Sequence, residues 1–498
     1  MTSTTRPATT STGGIQSLTV ERIMQIALFA LVFAMATRIP LDTDTWWHLR
    51  TGEYIINNGV AYEDPFSHTR EGVTWVNHSW GAQVVLHGIY SLGGDIGLSL
   101  YTAVLATAGM FFAYLTCSGN TYLRAFAVIL GSAAAAAFWS PRPQMFSFLF
   151  STIFLWVLFR YKFAGEDRLW WLPPMFLVWG NLHAGYSIGF IFLAGLIGAE
   201  IVANLLNPDG EEVIPWRGIG KLILVSLVGA ALVAVNPYGL RMLYVPFQTI
   251  GLDVLRAYIQ EWRSPDFQQL SVLPFTLQLL LTIGLVGASP RRLRWVSFLL
   301  LSGTLYLALN YGRNVAVFAV VATPIIAYHA DALLTQYGLE MRPRKRVSSI
   351  AGWLNAVLLA LILLGALGKI VYALTPTRIA EAQAEYLPVA AADHLRQSDP
   401  PREMFNSYNF GGYLLWAVPE LPIFADGRTD LYGDVFLLEY IDVYTRANNW
   451  QAYFERWDIG TVVVENTNIL AGELADSPEW TLDYEDEQAV IYIREDTP

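Results

Sequence analysis

Cysteine is nearly missing from this sequence: Cys117 stands alone among 498 residues. That excludes an intrachain disulfide framework, an iron–sulfur cluster and a cysteine-rich zinc site. Charge is scarce as well, at 15% of residues, against the ~25% usual in soluble domains. No long basic stretch interleaved with aromatics occurs, so nucleic acid is not an expected partner. No internal repeat of fixed period is visible. What fills the chain is apolar: 54% of residues are hydrophobic, with 17 Trp and 25 Tyr. Apolar runs of ~17–25 residues recur, the length that crosses a hydrocarbon core, and Trp and Tyr collect at membrane interfaces. The composition points to a polytopic α-helical membrane protein whose first partner is the lipid bilayer.

Eleven spans are expected, at about 23–39, 95–117, 122–139, 144–161, 170–182, 185–205, 220–235, 272–288, 294–309, 314–333 and 351–374. The fifth is too short to cross alone and reads as a broken helix lining a cavity. Residues 80–92 read as a re-entrant or interfacial segment. Ala34-Met-Ala36 mimics a cleavage site, yet the many following spans favour an uncleaved first helix. With the N-terminus inside, Arg160, Lys162 and Arg168, then Arg217 and Lys221, then Arg291, Arg292 and Arg294, and finally Arg342, Arg344, Lys345 and Arg346 fall in cytoplasmic loops, as the positive-inside rule requires. The organisation expected is a disordered cytoplasmic tail over 1–22, a transmembrane domain over 23–374 with a first outer loop at 40–94, and an extracytoplasmic α/β domain over 375–498. In that last part Leu421–Ala425, Gly460–Val464 and Ala489–Ile493 read as strands, and 386–396 and 435–456 as helices. The location expected is the plasma membrane.

The same topology gathers five polar segments on the outer face: Leu41-Asp-Thr-Asp-Thr-Trp-Trp-His-Leu49, Ser140-Pro-Arg-Pro-Gln144, Asn181-Leu-His-Ala-Gly185, Asn236-Pro-Tyr-Gly239 and Asn310-Tyr-Gly-Arg-Asn314. Ionisable groups at span ends are costly unless paired or hydrated, so they mark functional sites. A transporter would set its polar groups near the midplane between two related halves; neither is seen. Asp44 and His48 are four apart and share a helix face. A carboxylate beside an imidazole can act as general base or hold a divalent ion; alternatively Asp44 caps an interfacial helix. His183 sits in the break of the short span, either as a substrate contact or as a structural group. Arg142 and Arg313 suit a phosphate through the planar guanidinium fork, or snorkel to the interface. His68 and His78 read as structural. Asp426, Arg428 and Asp430 either bind an acceptor sugar or pair with one another to fix their loop, with Gly427 permitting unusual backbone angles; the structural role is favoured.

An acidic pair directly after the first span, an aromatic-rich outer helix and a long loop resemble the GT-C superfamily of membrane glycosyltransferases. The likeness is nearest to the bacterial branch that includes aminoarabinose and mannosyl transferases acting on polyprenyl-phosphate sugars. Asp42-Thr-Asp-Thr-Trp-Trp-His-Leu49, Asp64-Pro-Phe-Ser-His-Thr69, Trp75–Trp80, Phe405-Asn-Ser-Tyr-Asn-Phe-Gly-Gly-Tyr413 and Phe424-Ala-Asp-Gly-Arg-Thr-Asp-Leu-Tyr432 resemble a prokaryotic subgroup of it. Thr43 separates two acidic residues that are adjacent in many relatives, and Val76-Asn-His-Ser-Trp80 stands where aminoarabinose transferases carry a Lys-Pro-Pro-like segment. The resemblance implies inverting transfer from a polyprenyl-phosphate-linked sugar to an acceptor of unspecified kind. Asp44 would be the base, Asp42 its partner or a metal ligand, and Arg313 and Arg142 would lie at the phosphate, with His48 and His183 contacting substrate. A polysaccharide polymerase or ligase, and a non-catalytic scaffold or transporter, are the alternatives.

Overall fold

The computed structural model describes residues 14–210, 212–339, 346–398, 400–401 and 403–495. Of the tail expected over 1–22, positions 1–13 lie outside these residues, as do Arg342, Arg344 and Lys345 of the last basic cluster. The remainder of the tail is ordered: Ile15–Ser17 form a 3-10 turn and α1 (Val20–Ala36) follows at once. Thr19 caps it by accepting a hydrogen bond from the Arg22 N–H, the role a hydroxyl residue takes ahead of an apolar run.

The membrane part continues with α2 (Thr43–Asn58), α3 (Trp80–Thr116), α4 (Thr121–Ala135), α5 (Gln144–Ala164), α6 (Leu172–Leu182), α7 (Ser187–Leu206) and α8 (Trp216–Val233). Two short helices, α9 (Val245–Ile250) and α10 (Asp253–Tyr258), lie in the loop before α11 (Leu273–Ala288), α12 (Trp295–Asn310), α13 (Val315–Gln336) and α14 (Ser349–Ala373). Each of the eleven expected spans coincides with a helix. Among the described residues eight helices, taken with their adjoining 3-10 turns, are long and apolar enough to cross a membrane; α1, α6 and α12 are not among them. Residues 80–93 form a helix of their own before α3 bends at Gly94, whose φ of 53° suits glycine. The short α6 ends at His183, which adopts an extended backbone before the chain turns into α7. At the centre stands α13, buried without interruption from Val315 to Ala327, as a helix apolar on every side must be. At the periphery α14 buries only Gly352 and Ala366 and turns the rest of its apolar surface outward.

The C-terminal part comprises α15 (Pro376–Tyr386), α16 (Val389–Ser398), β1 (Met404–Asn406), α17 (Tyr408–Ala417), α18 (Thr429–Arg446), α19 (Trp450–Arg456), β2 (Thr461–Glu465), α20 (Ile469–Ala475), β3 (Trp480–Glu485) and β4 (Ala489–Arg494). The sheet order is β1-β2-β4-β3, with β1 parallel to β2 and the other pairs antiparallel. Two expected strands are present as β2 and β4. Leu421–Ala425 is not a strand but an extended loop that meets the first loop by a single bridge, Ser67 to Ile423.

That first loop, residues 59–79, is built into the C-terminal core. Phe66 and Trp75 are buried in the same cluster as Phe405, Phe424 and Phe436. Thr69 donates to the Phe424 carbonyl at 2.6 Å, and Arg70 to the Tyr432 carbonyl at 2.6 Å. The C-terminal domain is thereby fastened over the end of the bundle where α2 begins.

Candidate active site

The site starts with the capping of α2. Asp42 is the N-cap: its Oδ1 accepts from the Asp44 N–H at 3.1 Å. The capping role expected as an alternative for Asp44 thus belongs to Asp42, and Asp44 stands within the first turn, half-buried. Trp47 donates its indole N–H to Asp44 Oδ1 at 3.1 Å, the contact that helical spacing i, i+3 provides.

Between α4 and α5, Arg142 reaches three carboxylates. Its Nε lies 3.1 Å from Asp42 Oδ2, one terminal nitrogen 2.6 Å from Asp44 Oδ2, and the other 2.8 Å from Glu261 Oε2. Glu261 lies in the loop after α10 and was not anticipated from sequence. Its second oxygen is 3.6 Å from Arg313, and the Arg313 guanidinium rests 4.4 Å above the Trp262 ring. Burial pushes the Glu261 carboxyl up, but Arg142 and then Arg313 outweigh it and hold it at about 2. For Asp44 the balance falls the other way: burial raises it to about 6 against the pull of Arg142, with Asp42 and Glu261 adding to the rise. A carboxylate so placed ionises close to neutrality and is matched to proton abstraction.

Asp42 and Asp44 were the expected ligands if a divalent ion is used. In the structure they converge on the Arg142 guanidinium, and among the described residues no group of three His, Cys, Asp or Glu is arranged to hold an ion. The positive charge at this point is supplied by the arginine.

These side chains line a polar cavity of about 470 Å³ that also takes in His48, His78, His183, Tyr408, Asn409 and Asp430. His48 is buried, with Nδ1 3.2 Å from Gln83 Nε2. His183 Nδ1 meets Ser147 Oγ at 2.7 Å and accepts from the Gly185 N–H at 3.0 Å, an arrangement that leaves the proton on Nε2. Burial first, then Arg142 for His48 and the facing His78 for His183, hold both imidazoles well below their ordinary range, so they are neutral donors. His78, read as structural from sequence, packs edge-on to His183 at 5.8 Å and lines the cavity.

A second, apolar cavity of about 220 Å³ runs between α5, α7, α12 and α13, lined by Phe148, Ile188, Ile191, Leu307 and Val317 among others. Six residues border both spaces: His78, Gln144, His183, Thr249, Trp262 and Arg313.

Not every expected residue is in the site. Asp426 and Arg428 are wholly buried away from it. Arg428 donates to Asp426 at 2.8 and 2.9 Å and pairs with Asp64 of the first loop, and all three are inaccessible. Only Asp430 of that trio lines the cavity. Asn236 caps its own turn, and Tyr238 donates to the Ala61 carbonyl at 2.8 Å, so the Asn236–Gly239 segment is a docking turn. Asn181 accepts from the Trp80 indole at 3.1 Å and is likewise structural.

No family model and no curated relative matches the sequence. Among solved structures, the oligosaccharyltransferase of Archaeoglobus fulgidus, tethered to an acceptor peptide containing the NVT sequon, superposes with a TM-score of 0.57. The identity is 12%, over 90% of this chain and 69% of that one. ArnT from Cupriavidus metallidurans in the apo state gives 0.52 at 13% identity, over 95% of this chain and 97% of that one. Identities this low establish a shared fold. The chain is a multi-pass membrane protein with the GT-C fold of membrane glycosyltransferases.

Proposed function

We propose that the protein is a glycosyltransferase that moves a sugar from a polyprenyl-phosphate donor to an acceptor hydroxyl. The observation that carries this reading is the junction of the two cavities. A polar chamber holding a carboxylate that titrates near neutrality adjoins an apolar groove, and Arg313, His78 and His183 line both. A polyprenyl-phosphate sugar has the same order of parts: apolar chain, phosphate, sugar. The fold supports it, because the two solved structures cited above are membrane glycosyltransferases.

In this reading the chain lies in the apolar groove and the phosphate lies against Arg313, with His78 and His183 donating from neutral rings. The acceptor oxygen attacks the anomeric carbon from the face opposite the phosphate. As that C–O bond forms, the bond from the anomeric carbon to the phosphate oxygen breaks, and polyprenyl phosphate departs with the electron pair. The acceptor proton passes to Asp44. Arg142 has its nitrogens committed to Asp42, Asp44 and Glu261, so it orients the base rather than gripping phosphate. Fixed cationic and N–H groups at the leaving phosphate supply the electrostatic stabilisation that is commonly the largest part of catalysis. Asp430 and Asn409 face the sugar or acceptor from the C-terminal domain.

Arg313→Lys is the test of the phosphate site. It keeps the charge and loses the fork and the flat stacking on Trp262. Binding of undecaprenyl phosphate to the purified protein should weaken about tenfold. Wild-type affinity in the Lys variant removes a guanidinium–phosphate contact at this position.

Chemistry away from the cytoplasmic nucleotide pool also requires the site to be extracytoplasmic in the plasma membrane. Reporter fusions at residues 60 and 400 should score outside, and one at 345 inside. Fusions at 60 and 345 scoring on the same side contradict this.

A further inference from the structure

Two glycine-bearing motifs, Phe410-Gly-Gly-Tyr413 and Ala425-Asp-Gly-Arg428, have no part in the chemistry above, yet both press on the first turn of α2. A methyl group added at Gly427 would run into Asp44 Oδ1 and stand 3.0 Å from Asp44 Cγ and 3.0 Å from Trp47 Nε1. One added at Gly412 would lie 2.5 Å from the Thr43 carbonyl oxygen, and one at Gly411 would run into the Ala425 carbonyl. Gly427 has no positive φ among the described residues, so its need for glycine is one of close approach. This corrects the sequence-based expectation of unusual backbone angles there.

The 425–428 turn is itself rigidly held. Asn406 donates to the Ala425 carbonyl at 2.8 Å and accepts from the Phe424 N–H at 2.7 Å. Asp426 accepts from the Arg428 N–H at 3.0 Å, and the Arg428 side chain ties the turn to Asp426 and Asp64. Every one of these groups is buried. A turn fixed this firmly, touching a half-buried carboxylate with backbone alone, is placed to set where that carboxylate points.

We propose that the 425–428 turn, with Gly411 and Gly412 beneath it, is a positioning seat through which the C-terminal domain holds Asp44 in its working orientation. Gly427 is then a positioning residue. The proposal rests on the transferase reading for its kinetic consequence and on geometry alone for its structural one.

Gly427→Ala in the full-length protein in lipid nanodiscs tests it with two readouts. The first is turnover of polyprenyl-phosphate-linked sugars extracted from the host membrane. kcat should fall about 10–10³-fold while KM for the donor changes by less than about twofold, the split expected when orientation rather than binding is lost. The second needs no turnover: labelling of Asp44 by dicyclohexylcarbodiimide, which reacts with protonated carboxyl groups. Half-labelling should fall near pH 6 in the wild type. It should drop by about one pH unit or more in the variant, as the displaced carboxylate exchanges burial for water. Gly412→Ala pushes on the same turn through Thr43 and should shift both readouts the same way by less; it answers the question if the Gly427 variant does not accumulate. A wild-type labelling midpoint with turnover within about twofold of wild type overturns the seat. A shifted midpoint in a protein whose wild type transfers nothing keeps the seat and overturns the transferase reading.

Discussion

Replacing Asp44 by Asn is expected to lower turnover about 10²–10⁴-fold, the usual worth of a positioned general base, with polyprenyl-phosphate binding within about twofold of wild type. The amide keeps the size of the carboxylate and can still accept from Trp47, but it cannot take the acceptor proton. The pH profile gives the same group a second signature. Burial raises Asp44 to about 6 against Arg142, and only the ionised form is a base. Activity should therefore rise with pH up to about 6 and level off above it, falling about tenfold per unit on the acid side. The Asn variant should lose that limb. Asp42→Asn should cost less, because Asp42 caps α2 and an amide oxygen caps nearly as well. Full turnover in the Asp44→Asn protein would remove Asp44 from the chemistry.

The second large effect lies outside the cavity. Arg428→Leu should destabilise the C-terminal domain by about 3–5 kcal/mol, because it leaves Asp64 and Asp426 buried with no counter-charge. Those two residues come from the first loop and the C-terminal domain, so the loss should show both as a lower melting temperature and as proteolytic cleavage between residues 59 and 79. Replacing all three groups by apolar residues should cost less than the single change, since no unpaired charge remains. An Arg428→Leu protein that melts like wild type and resists protease would mean that the triad does not fasten the two segments.

The spans were readable from sequence because lipid contact demands long apolar runs, and α14 shows that demand undiluted. The convergence of Asp44, His48, Arg142, His183 and Arg313 was readable because polar groups at span ends have few other places to go. Other features were hidden for physical reasons. Two carboxylates two residues apart do not reveal which one stands outside the first helical turn, so Asp44 reads as a possible cap although Asp42 holds that place. Asp426-Gly-Arg428 looks the same whether it meets a sugar or a buried partner, and the partner Asp64 is 364 residues from Arg428. Glu261 lies in a loop with no periodic pattern, and its low carboxyl range comes from two arginines in turns distant in sequence. β1 is three residues long, too short for alternation to register, and β3 is mostly exposed with little apolar signal. His78 had no distinguishing neighbour in sequence, although it borders both cavities.

The most direct test of donor-dependent transfer is the content of lipid-linked sugars in cells lacking the gene, complemented with wild-type or Asp44→Asn protein. Mass spectrometry of the extracted lipids should show a polyprenyl-phosphate sugar accumulating in the deletion strain. Wild-type protein should clear it, and the Asp44→Asn protein should leave it in place. Equal amounts of every polyprenyl-phosphate sugar in all three strains would contradict a transferase that consumes such a donor.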